Sequence, residues 1–469
     1  MKDTLLVKLR EGEPLSLKER IQLIVNLSIP AMLAQVSVII MQYIDAAMVG
    51  QLGANDSASI GLVSTTTWLF GGILSALMTG FTVQVAHQIG AKNNEKARLI
   101  LKHSFLIVGA FGLVMSGIGV LIAPYLPHWL GGGEQIIQGA YHYFLVYILF
   151  IPFTGFNSLS SGLLQASGNM KIPSLLQVFM CILDVIFNSI FIFKSTVFLG
   201  IPIHGFGLGV AGAALGTALA QVVVAILMLY FLLVKSPILG LKKHEKFTWH
   251  KGYVRECFRI AIPVGIEQVV TTGAMIMVTK IIAPLGNVSI AANSFAVTAE
   301  SLCYMPGYGI ATAATTMIGQ SIGAKRHDLT KSLGYLTTAL GMLVMAITGT
   351  LMYILAPYMI SFLSPDPEIV ALGTVILQIE AFAEPLYGAS MVATGVFRGT
   401  GDTFIPSCLN FLSMWAVRIP LSAFLAPRVG LKGVWIAMCL ELCTRGILFL
   451  IRLKGTKWLK RAESRMQEA

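Results

Sequence analysis

Long apolar runs recur along the whole chain, separated by short stretches rich in charge, glycine or proline. About twenty apolar residues in helical form cross the roughly 30 Å of hydrocarbon in a bilayer. The runs near 21–44, 57–86, 99–122, 135–161, 172–193 and 207–234 predict six such helices. Those near 254–282, 289–319, 332–355, 368–397, 404–426 and 430–451 predict six more.

The punctuation between the runs repeats itself. The tetrapeptide IGAK stands at Ile89–Lys92 and again at Ile322–Lys325, an offset of 233 residues. The same offset carries Ile29-Pro30 onto Ile262-Pro263, Leu52-Gly53 onto Leu285-Gly286, and Ala123-Pro124 onto Ala356-Pro357. It also carries Gly168 onto Gly401 and Ile172-Pro173 onto Ile405-Pro406; the register then slips by nine, so that Gly209-Val210 meets Gly433-Val434. A fixed offset held through five runs is the mark of an internal repeat. Six crossings are even in number, so both copies enter and leave on the same side, giving parallel repeats about an axis along the membrane normal. Within IGAK, the glycine is expected to end the helix and the lysine to meet the headgroups.

Composition agrees with burial in lipid: 55% of the 469 residues are hydrophobic and 12% charged, where soluble domains carry about 25% charge. The net charge of +11 could point to nucleic acid, but its placement argues otherwise. With the N-terminus set in the cytoplasm, the tails, the inner loops and the inner ends of the spans hold 27 of the 33 Lys and Arg. That bias orients membrane helices and places both termini inside. The first twenty residues are charged and the first apolar run is long, so no secretory leader is expected. The six cysteines include no CxxC pair; only Cys439 and Cys443 share a helix face, and all read as packing residues without a disulfide or zinc framework.

Charged groups within spans are costly, so they mark cavities or partners. Asp45, Asp184, Glu267, Glu300, Glu380, Glu384 and Glu441 lie in or near the spans, opposed only by Lys280, Arg418 and Arg445. Such an acid excess suits a path for protons or cations. The halves are unequal. Asp45 maps onto Val278, near Lys280, and Asp184 onto Val417, beside Arg418, so the first bundle is expected to be the stronger cation site. Asp184 lies roughly 18 Å along its helix from Ile172, by the usual rise per residue. Glu441 and Arg445, spaced i,i+4, are expected to pair, while Glu300 and Glu380 suit a wet vestibule. Pro30 and Pro263 fall inside the first and seventh spans, where each permits a bend. No Walker loop, HExxH, GxSxG or paired His motif points to an enzyme. A flippase for a lipid-linked or polysaccharide precursor would want more Arg and Lys in its spans, and a channel suits the unequal halves poorly.

Several stretches are similar to one family. QYIDAAMVGQLG, QVAHQIGAKN, QASGNMKIP, GVAGAALGTALAQ, GQSIGAKR and FRGTGDTFIP resemble, in order and spacing, the MATE (multidrug and toxic compound extrusion) transporters, over about residues 20 to 455. The resemblance implies export of amphipathic, often cationic compounds against inflowing protons or sodium ions. It further implies a coupling site in the first bundle, at Asp45 with a polar group on the fifth span, and bending at Pro30 when that site is protonated. The family commonly shows Asn, three residues, then Asp or Asn on that span; here the order is Asp184, three residues, Asn188. Its sodium-coupled branch uses a Glu and an Asp on the seventh and tenth spans. Glu267 and Glu384 are the nearest matches, with Glu267 about one turn earlier than the pattern.

The expectation is an all-α integral membrane protein: twelve transmembrane helices in two pseudo-symmetric six-helix bundles. An N-terminal segment (1–20), a first bundle (21–234), a linker (235–253), a second bundle (254–453) and a tail (454–469) divide it. Expected coupling residues are Asp45, Asp184 and Asn188; Glu267, Glu384 and Arg418 are second-bundle candidates, and Pro30 and Pro263 bending points. No cofactor or resident metal is expected, beyond sodium at the coupling site. The expected partners are organic cations and membrane lipids, the expected state a monomer in a bacterial inner membrane.

Overall fold

The computed structural model describes residues 4–198, 201–242, 245 and 247–468. The first half holds α1 (Thr4–Glu11), α2 (Leu17–Gly50), α3 (Ala54–Gly90), α4 (Asn94–Ile122), α5 (Leu126–Trp129), α6 (Glu134–Ala166), α7 (Lys171–Phe191) and α8 (Val210–Tyr230). The second holds α9 (Lys251–Ile282), α10 (Asn287–Gly323), α11 (His327–Leu363), α12 (Pro367–Ala381), α13 (Glu384–Gly399), α14 (Phe404–Leu412), α15 (Ile419–Val429), α16 (Leu431–Lys454) and α17 (Lys457–Glu468). Among the described residues the fold is all-helical save one small antiparallel hairpin, β1 (Ser195–Phe198) with β2 (Ile201–His204), pairing Ser195 with His204. Among the described residues ten helices are long and apolar enough to cross a membrane, and the bent pair α12–α13 makes an eleventh. The expected twelfth is α10, 37 residues long, whose apolar signal is diluted by Asn, Ser, Thr and Glu300. Much of α10 is buried against protein, and a helix shielded from lipid need not be uniformly apolar.

The duplication is visible in the backbone. Adding 233 to the ends of α3 gives those of α10, and the first residues of α4 and α7 map onto those of α11 and α14. Both copies of IGAK close a helix the same way, with Gly90 and Gly323 as the last helical residues, as expected. The left-handed residue is the lysine: Lys92 (φ 59°) and Lys325 (φ 56°) are the only non-glycine residues with positive φ among those described. The next N–H groups, of Asn93 and Arg326, then reach back to the Gln88 and Ser321 carbonyls, each at 2.9 Å, satisfying acceptors that a helix end leaves open. Gly90 also serves packing, since a Cβ there would lie 2.1 Å from the Gln320 carbonyl oxygen.

By Cα packing the chain forms two compact units, one of residues 37–89 and 93–261, the other of residues 1–36, 90–92 and 262–469. We call them the first-half and second-half units. Their limits fall inside α2 and α9, six residues after Pro30 and just before Pro263. The first-half unit has a core of α3, α4 and α6 side chains, with Phe70 edge-on to Phe144 at 5.9 Å. Its α7 ends under the 205–209 loop, whose N–H groups from Phe206 to Gly209 bond the carbonyls of Ile190 to Phe193. The linker also docks here. Arg98, on the second turn of α4, grips Glu245 (Nε to Oε1 2.8 Å) and the Ile238 carbonyl (2.9 Å), and Lys102 bonds the Glu245 carbonyl. Buried His103 accepts from the His250 N–H at 3.0 Å, so its ring proton sits on Nδ1 facing the Leu99 carbonyl.

The second-half unit packs around Trp435, Ile360, Leu377 and Ala296. The terminal helices belong to it: α1 buries Leu6 and Leu9, and α17 buries Trp458, whose ring meets Phe397 at 5.9 Å. A Ser16–Glu19 capping box starts α2. Arg452 and Asp402 pair beneath Phe397.

Candidate functional site

In the first-half unit the polar positions of α7 repeat at helical spacing: Gln177, Asp184 and Asn188 fall on one face. Asp184 and Asn188 are fully buried. Asn188 Nδ2 donates one hydrogen to Asp45 Oδ1 at 2.7 Å and the other to Asp184 Oδ2 at 3.1 Å. The three predicted residues thus meet around one amide, with the two carboxyls as neighbours. Tyr143 on α6 and Thr217 on α8 stand close by. Neither carboxyl forms an ion pair among the described residues, and Asp184 Oδ1 has no hydrogen-bond partner. Two carboxyls without a basic partner, tied by a neutral amide, form a place where a proton or small cation would settle charge that burial otherwise makes costly.

The second-half candidates do not form one site. Glu267 on α9 is held by α14: Ser407 Oγ donates to Oε2 at 2.7 Å and Asn410 Nδ2 to Oε1 at 2.6 Å, with Arg398 3.8 Å away. Sequence reasoning missed these partners, although Ser407 and Asn410 stand where the repeat places Ser174 and Gln177. Glu384 belongs to a different group. It starts α13, just after a 58° bend from α12, and Glu380 lies just before that bend. Both are fully buried and none of their four carboxyl oxygens has a hydrogen-bond partner. Glu300, Glu441 and Arg418 lie within electrostatic reach of Glu380. Glu441 and Arg445 are ion-paired at 3.2 Å, as their spacing predicts. Glu300 and Glu380 do not line an open vestibule; both are buried. Arg418 sits at the end of a π-helical turn, Ser413–Arg418, against Met438 Sδ. All six cysteines are free thiols, and no group of three or more His, Cys, Asp or Glu among the described residues is arranged to hold a metal.

Two helical repeats of membrane-spanning length, with carboxyl groups buried in both, define the class: a polytopic membrane protein built as a tandem repeat. The MatE family model matches residues 30–190 and 263–424, and the chain belongs to that family of multidrug and toxic compound extrusion transporters. It is 25% identical over 452 residues to the probable multidrug resistance protein NorM of Thermotoga maritima, covering 94% of this chain and 93% of that one. With the NorM of Streptococcus pneumoniae strain R6 it shares 26% over 452 residues, covering 96% and 97%. A crystal structure of a MATE protein in complex with MaL6 superposes with a TM-score of 0.88 at 19% identity, over the full length of both chains.

Proposed function

We propose that this protein is a secondary antiporter that exports amphipathic, cationic compounds in exchange for inflowing protons or sodium ions. The observation that carries the reading is the Asp45–Asn188–Asp184 group, two carboxyls bridged by one amide with no basic partner. In this reading the ion is taken up there, and Asn188 holds both carboxyls so that one proton or cation serves the pair. Asp45 belongs to the C-terminal part of α2 and Asp184 to α7, so charging or discharging the pair changes how tightly α2 is held. The rest of α2, with Pro30, packs in the other unit, which supports Pro30, and Pro263 on α9, as bending points. Drug and ion must bind the two access states with different affinities for exchange to be driven. Glu384, with Glu380 and Arg418, is the proposed ion site of the second-half unit; Glu267, with both oxygens already bonded, is proposed as an anchor of α9 on α14. The lysine and arginine bias supports both termini lying in the cytoplasm, and the bacterial inner membrane is the proposed location.

Dye efflux from proteoliposomes, with proton and sodium gradients imposed separately, tests this. The expected result is gradient-driven efflux that falls at least tenfold in Asp45→Asn and Asp184→Asn. Sodium-only efflux that survives both changes but is lost in Glu384→Gln would move the coupling site to the second-half unit. No efflux under either gradient would turn attention to a lipid-linked cargo.

A further inference from the structure

α8 carries glycines one turn apart, Gly212 and Gly216, on the side that faces α7. Small residues at this spacing let helix backbones approach closely in a membrane. The two glycines meet different things. A Cβ at Gly212 would lie 2.4 Å from the Phe191 carbonyl oxygen, a backbone contact. A Cβ at Gly216 would lie 2.1 Å from Asn188 Oδ1, the side chain that bridges the two carboxyls, and 3.0 Å from the Asn188 backbone nitrogen. Asn188 Oδ1 is buried and accepts no hydrogen bond, which is unusual for a buried polar atom. Its place is therefore set at one end by the two bonds that Nδ2 gives, and at the other by the slot left by the missing side chain.

We propose that Gly216 is a positioning residue for the Asp45–Asp184 pair: its bare backbone admits the Asn188 amide to the one place from which it reaches both carboxyls. The proposal rests on reading that pair as the coupling site. A methyl group at 216 displaces the amide by more than the slack in a hydrogen bond, so at least one carboxyl loses its donor. The two acids then no longer act as one unit.

The test uses the full chain in proteoliposomes loaded with ethidium, comparing Gly216→Ala, Gly212→Ala, Asn188→Ala and the double variant Asn188→Ala/Gly216→Ala. Gly216→Ala is expected to lower gradient-driven efflux at least tenfold and to move the pH midpoint of the efflux profile by about one unit or more. In the Asn188→Ala background, where the obstructed side chain is gone, the same change should cost less than twofold. Gly212→Ala should leave the pH profile in place even where it reduces the yield of folded protein. Equal losses in both backgrounds, or an unmoved profile in Gly216→Ala, would overturn the proposal and leave Gly216 a packing residue. Should Gly216→Ala fail to fold, folding of the double variant supports the side-chain conflict; failure of both overturns it. An Asp45→Asn variant with wild-type rate and profile would refute the coupling site itself, a result independent of how Gly216 behaves.

Discussion

At the scale of single residues, the chain spends conformational strain in two matching places. Lys92 and Lys325 hold the left-handed conformation that closes α3 and α10, a geometry that costs a residue with a Cβ roughly 1–2 kcal/mol. Glycine adopts it freely. Lys325→Gly is therefore expected to be neutral or to stabilise by up to about 1 kcal/mol, since its larger unfolded-state entropy offsets part of the gain. Lys325→Val, branched at Cβ, should instead lose about 1–2 kcal/mol. Thermal unfolding in detergent checks both, and a destabilised glycine variant would show that the lysine head group matters more than its backbone. The position of this strain was legible as a repeated tetrapeptide. Which of its residues bears the strain was not, because Gly-Ala-Lys offers two positions for the helix to end.

At the scale of elements, the linker is a docked strap. Glu245 is bonded through both oxygens to Arg98, and those bonds, with the Arg98 charge, hold its carboxyl below the ordinary carboxylate range. A carboxylate lowered on folding stabilises fully above its unfolded value and loses that contribution as pH falls through the folded one. The strap is thus expected to stay docked at neutral pH and to loosen in acid. Arg98→Ala removes a partner that is almost fully buried, at a local cost of roughly 3 kcal/mol. Hydrogen exchange over 236–242 and 247–250, corrected for the intrinsic rate, should then rise more than tenfold at neutral pH and lose its acid dependence. Retained protection would place the docking in the His103 ring cluster of Phe247, Trp249 and Tyr253. Sequence alone showed only a lysine-rich connection here; a single glutamate among lysines gives no sign of which distant arginine it meets.

At the scale of the molecule, buried carboxyls sit in each unit without full compensation. Groups held in this way trade stability for activity. Asp184→Asn and Glu380→Gln are each expected to keep or raise Tm, by roughly 1 °C for every 1 kcal/mol gained in a chain of this length, while lowering transport. Belonging to different packing units, their shifts in Tm should add. Clear non-additivity would show that the two groups share one cooperative network.

The sequence by itself determined the membrane class, the duplicated six-helix plan and the one-face spacing of Asp184 and Asn188, while the expectation that Asp45 joins them came from the family resemblance. Apolar run length, a constant offset and helical spacing are local or periodic signals, and they survive without coordinates. The tertiary structure alone decided that the packing units divide inside α2 and α9, that Glu267 is bound by Ser407 and Asn410, and that Glu384 keeps company with Glu380 at a bend. It also decided that Gly216 faces Asn188. These are contacts between residues far apart in the chain or on neighbouring helices. Which faces of two helices meet depends on how small side chains let the backbones approach, and no periodicity within either helix records that.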